Sequence, residues 1–69
     1  MHWGGASPNM NQIVALSKKY KIHIIEDACM GIGAKINGKS PGCFGTVSAF
    51  SMHPFKSLNV MGDCGVVLF

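Results

Sequence analysis

An amphipathic run, Met10–Tyr20, stands directly before the nearly continuous apolar segment Ile22-His23-Ile24-Ile25, and this succession most narrows what the chain can fold into. Met10, Ile13, Val14 and Leu16-Ser17 recur close to a 3.6-residue period, while Asn11, Lys18 and Lys19 fall on the other side, so a helix with one packed face and one wet face is expected. Asn9 is placed to cap it and Gln12 to reach back three residues later, a variant capping box that sets the start near Met10; the end is expected near Tyr20. The β-branched segment Ile22–Ile25 then reads as a parallel strand covered on both faces, with Glu26-Asp27 at its carboxyl end.

Downstream, Cys29 to Gly45 is glycine-rich, and Asn37-Gly38 is a strong turn signal between Ala34-Lys35-Ile36 and Lys39-Ser40, so a loop with a small hairpin is expected. A second strand is expected from about Thr46 to Ser51. His53-Pro54 after it cannot continue a helix, which leaves Lys56 on a loop. A last strand runs from about Gly65 to Phe69, and the whole pattern favours an α/β fold. Gly33 to Ser40 fits the phosphate-loop pattern G-x-x-x-x-G-K-[ST], but that chemistry needs a strand just before it and a helix opening at Lys39-Ser40. Neither is expected here, because Pro41-Gly42 discourages the helix and the preceding strand ends near Glu26.

Hydrophobic residues make up 48% of the 69 positions and charged ones 13%, too apolar a balance for the skin of a free-standing small domain. The expectation is a piece of core cut from something larger, truncated at both ends. Lys18, Lys19 and Lys21 form the single basic cluster, without interleaved aromatics, and read as the solvated end of the helix rather than as a nucleic-acid contact. No secretory pattern and no apolar run of membrane-spanning length is seen, so a soluble, cytoplasmic setting is expected. Cys29, Cys43 and Cys64 lack paired spacing and read as reduced thiols, with no metal site.

Asp27 and Lys56 each stand just past an apolar strand, on segments that a parallel sheet can bring to one edge, where such sheets bind ligands. Read alone, Asp27 equally caps the following turn, Lys56 is an ordinary surface lysine, and Ser51 is a local backbone partner. Read jointly, they suit a pyridoxal-phosphate (PLP) enzyme. A lysine amine condenses with the cofactor aldehyde as a Schiff base and then serves as base at the amino donor, and a carboxylate keeps the ring nitrogen protonated. The Ser51 hydroxyl suits the cofactor phosphate.

Around these residues the sequence resembles the DegT/DnrJ/EryC1/StrS family of PLP-dependent nucleotide-sugar aminotransferases. The resemblance lies in His2-Trp3-Gly4-Gly5 with Pro8-Asn9-Met10, in Ile24-Ile25-Glu26-Asp27-Ala28, in the Gly33-Ala34 to Gly38-Lys39 hairpin and in Cys43-Phe44-Gly45. Its most specific part is Phe50-Ser51-Met52-His53-Pro54-Phe55-Lys56, which looks like the family's S-F-x-x-x-K segment, and Asn59-Val60-Met61-Gly62-Asp63 is similar to one branch.

The resemblance implies part of the large domain of a fold-type-I transferase over residues 1–69, with a mostly parallel sheet and helices on both faces. It implies a homodimer that moves an amino group from glutamate to a nucleotide-linked keto-sugar for surface polysaccharide or related amino-sugars. Lys56 would hold PLP, Asp27 meet its ring nitrogen and Ser51 its phosphate, while Met30 stands where members place Gln or His at the ring hydroxyl. Met52 replaces the usual Phe, and Cys64 interrupts a Gly-Asp/Glu-Gly-Gly run whose backbone can call for positive φ. The rest of the family fold is absent, so the chain alone is not expected to be active. Rival readings are a PLP- or PMP-dependent sugar dehydratase or isomerase, and a paralogue that binds PLP or sugar nucleotide without turnover.

Overall fold

The computed structural model describes residues 1–69 and contains one helix, α1 (Met10–Tyr20), and three strands, β1 (Ile25–Asp27), β2 (Val47–Ser51) and β3 (Gly65–Leu68). Helix α1 has the expected limits. The Asn9 side chain accepts from the Gln12 amide at 3.2 Å, so the Asn9 half of the capping box is made. At the other end Lys21 takes the left-handed conformation (φ 54°, ψ 45°), and the amides of Lys21 and Ile22 both turn back to the Ser17 carbonyl. A side chain with a Cβ is strained there, by about 1–2 kcal/mol. Lys21→Gly in the full-length protein should therefore raise the urea midpoint by an amount worth about 0.5–1 kcal/mol, the glycine's extra unfolded-state freedom taking back the remainder.

The strands form one sheet in the order β1-β2-β3. β1 and β2 are parallel, with Ile25, Glu26 and Asp27 beside Val47, Ser48 and Ala49; β2 and β3 are antiparallel, from Ser48 beside Leu68 to Ser51 beside Gly65. The first strand thus begins three residues later than the apolar run suggested. Ile22 and Ile25 are 63% and 76% exposed, so residues 1–69 by themselves do not cover the segment on both faces. The reason is where the pairing groups lie: the Ile22 carbonyl is drawn back to the Ser17 hydroxyl, and the Ile24 carbonyl takes the amides of Thr46 and Val47, so the ladder starts only there. Leu16, expected on the packed face of α1, is also exposed and lines an open apolar groove with Ile13, Tyr20, Ile22 and Ile24.

Residues 33–40 form a hairpin, not a phosphate loop. Ile36 and Lys39 exchange both backbone hydrogen bonds (2.8 and 3.0 Å), and Asn37 (φ 50°) and Gly38 (φ 79°) supply the two left-handed positions that the tightest hairpin turn demands. Cys64 needs no glycine: Gly62 carries the positive φ of that turn, at 118°, and Cys64 does not. The apolar residues buried in the chain are Met10 and Ala28, whereas Phe55, Met61 and Phe69 are almost fully exposed. No helix is long and apolar enough to cross a membrane.

Candidate functional site

Sheet register divides the residues at the strand ends between two faces. Asp27 lies beside Ala49, and Ser51 follows Ala49 by two positions on β2, so all three share one face; Glu26 and Ser48 share the other.

The second face is built around Glu26, which is 2% exposed. One carboxylate oxygen accepts from the amides of Phe44 (2.5 Å) and Gly45, and the other accepts from the Gly42 amide (2.7 Å) and contacts Nε2 of the buried His2 (2.8 Å). Burial by itself would raise the Glu26 pKa, but the amides of Gly45 and Gly42, the His2 ring and the Phe44 amide outweigh it and hold the carboxyl below its usual 4.5. The loop must approach this closely for the bonds to form. A Cβ on Gly45 would lie 2.7 Å from the Ile24 carbonyl, and one on Gly42 would lie 2.3 Å from the Phe50 ring. The sequence marks Glu26 only as a strand end, because the glycines it binds lie 16 and 19 residues further along the chain.

The first face carries the candidate site. Asp27 ends β1, and its Oδ1 accepts from the Cys29 amide at 3.2 Å. The adjacent Cys29 thiol and amide hold the Asp27 carboxyl below its usual range against a small opposing effect of burial, and the charges of the chain's amino terminus and of Lys56 act in the same direction. Asp27 is thus kept ionised. Cys29 shifts the other way, since burial and then the Asp27 carboxylate push its thiol up. Lys56 sits half-buried on the loop between β2 and β3, its amide donating to the His53 carbonyl at 2.8 Å. The neck of that loop is closed by the Met52 amide on the Cys64 carbonyl (2.8 Å) and the Val60 amide on the Met52 carbonyl (3.0 Å).

A pocket of about 190 Å³ brings Lys56 together with Met30, Cys29, Gly4, Phe55 and Ser57. Asp27 lies two residues before Cys29 of that wall and senses the Lys56 charge, but it does not line the pocket. Ser51 does not line it either; its hydroxyl accepts from the His53 amide at 3.3 Å. The arrangement pairs an ionised carboxylate with an amine beside a small cavity and leaves space over Gly4, where a Cβ would meet nothing within 4 Å. No group of His, Cys, Asp and Glu side chains is assembled to hold a metal ion.

The model of the DegT/DnrJ/EryC1/StrS aminotransferase family matches residues 1–69. A UDP-N-acetyl-3-dehydro-alpha-D-glucosamine 3-aminotransferase of Acidithiobacillus ferrooxidans is 41% identical over 68 residues, which are 99% of this chain and 18% of that protein. The X-ray structure of the aminotransferase from Psychrobacter cryohalolentis matches 96% of this chain and 17% of its own, with a TM-score of 0.92 and 33% identity. The crystal structure of NtdA from Bacillus subtilis, with bound cofactor PMP, matches 96% of this chain and 14% of its own, with a TM-score of 0.78 and 33% identity. The chain spans less than a fifth of the length of each.

Proposed function

The chain belongs to the DegT/DnrJ/EryC1/StrS aminotransferase family, and from that premise we propose that the full-length protein is a PLP-dependent aminotransferase that moves an amino group from glutamate to a nucleotide-linked keto-sugar. Residues 1–69 are then part of its cofactor-binding large domain, in a cytoplasmic homodimer serving amino-sugar or surface polysaccharide synthesis. The observation that carries the reading is the joint placement of an ionised Asp27 and of Lys56 at the carboxyl ends of two parallel strands, next to a pocket.

The residues present fit the cofactor. Its aldehyde supplies the point of amino-group capture, and its ring takes up the electron pair left when the donor's C–H bond breaks. Lys56 would hold it covalently, and its amine would move the proton at the donor's α-carbon. Asp27 has Oδ1 engaged by Cys29 and, being held ionised, keeps the cofactor's ring nitrogen protonated. Ser51 donates its hydroxyl, free of any donor bond inside the chain, to the phosphate. Met30 lines the lysine's pocket with a thioether, which has no proton to donate, so it packs where a polar residue would hydrogen-bond.

Full-length protein loaded with PLP should lose its visible absorbance on addition of glutamate alone, and regain it, with formation of an amino-sugar, when nucleotide-linked keto-sugars are supplied. Loss of absorbance without amino-sugar from any keto-sugar would refute the sugar acceptor. An unchanged spectrum with glutamate would refute glutamate transamination and favour the dehydratase, isomerase or non-catalytic alternatives.

A further inference from the structure

The backbone and one ring nitrogen of His53 are hydrogen-bonded around the turn that leads to Lys56. Its amide donates to the Ser51 hydroxyl, its carbonyl accepts from the Lys56 amide (2.8 Å), and its ring nitrogen Nδ1 accepts from the Phe55 amide (3.3 Å). The other nitrogen, Nε2, faces Asp63 Oδ1 at 3.8 Å, and the ring lies against Phe55 with centroids 5.3 Å apart. Asp63 stands next to Cys64, whose carbonyl closes the loop neck.

The hydrogen bonds also specify the tautomer. Nδ1 accepts an amide proton only when it carries none itself, which puts the ring proton on Nε2, toward the Asp63 carboxylate. Pro54 has no amide to donate, so the Phe55 and Lys56 amides are what tie the turn before the lysine, and His53 accepts both. A lysine stem is long and flexible, and its amine is placed no better than the backbone that carries it.

We propose that His53 is a positioning residue: by bracing the turn 53–56 through Nδ1, it aims the Lys56 amine into the pocket shared with Met30. This rests on the reading of Lys56 as the cofactor lysine. His53 does not touch the reacting atoms and acts through the loop backbone.

The test mixes cofactor-free full-length protein with pyridoxal phosphate and follows the visible band, confirming its site by borohydride trapping and mass analysis. His53→Phe keeps a ring against Phe55 but has no acceptor, and should slow linkage at saturating pyridoxal phosphate by roughly 10²-fold, the cost of misplacing a reacting group by about 1 Å. The concentration giving half the maximal rate should not change. His53→Asn supplies a short side-chain oxygen that accepts from the amide two residues on, and should recover most of the rate. Hydrogen exchange in the peptide containing 53–56 should rise in His53→Phe and fall back in His53→Asn. A wild-type linkage rate in His53→Phe, or an equal loss in His53→Asn, would overturn the proposal. Lys56→Ala separates the two readings: a band that persists in it removes the assignment of the lysine itself, and with it this inference.

Discussion

Lys56→Ala in the full-length protein should abolish the visible absorbance of the lysine-bound cofactor and lower turnover by roughly 10⁴-fold, the upper range for loss of a positioned proton-transfer group. Two roles disappear together, because the same amine is proposed to bind the cofactor and to move the donor's proton. Folding should be little affected. Lys56 is half-buried on a loop, and the backbone bonds that hold the loop, from its amide to the His53 carbonyl and from Met52 to Cys64, do not need its side chain. An unfolding midpoint equal to that of wild type, with no visible band, is the expected pair of results. A retained band at wild-type intensity would move the assignment to another lysine, and turnover within tenfold of wild type would remove the proton-transfer role.

Glu26→Ala should have the largest effect on stability, about 3–5 kcal/mol, because it leaves several donors without the buried carboxylate that accepts from them. It strands the amides of Gly42, Phe44 and Gly45 and the ring of His2, which all meet at this one carboxylate. Glu26→Gln fills the same space, yet its amide group turns donor hydrogens toward a cluster that already consists of donors, so about 2–3 kcal/mol should still be lost. The acid dependence distinguishes charge from packing. Because the Glu26 pKa is lowered on folding, its contribution is complete above the usual 4.5 and is lost as pH falls below that value through the lower folded pKa. Wild-type stability should therefore drop more steeply below pH 4.5 than that of Glu26→Gln, as read from urea midpoints across the acid range. Parallel curves would show that the carboxylate's charge is not what holds the glycine loop.

Local elements were readable because their determinants are local. Asn9 and the 3.6-residue spacing set the limits of α1, and Asn37-Gly38 set the hairpin, since each rests on the conformational preferences of neighbouring residues. The first strand begins later than the apolar run for a physical reason. An apolar run records which residues avoid water, whereas strand limits are set by the carbonyl and amide partners on β2, which are distant in sequence. The exposure of Leu16 and Ile25 has the same origin, because burial depends on what lies opposite. Cys64 shows the converse, a departure that loses its importance once Gly62 is seen to carry the positive φ.

The sequence by itself determined the helix, the turn, the family to which the chain belongs and the acid and lysine around which a site could form, because these rest on local propensity and on a contiguous motif. Only the tertiary structure decided that Asp27 and Ser51 share a sheet face while Glu26 turns to the other, and that Lys56 shares its pocket with Met30. Parallel register and long-range hydrogen bonds set those relations. They join residues far apart in the chain, and no short stretch of sequence contains both partners.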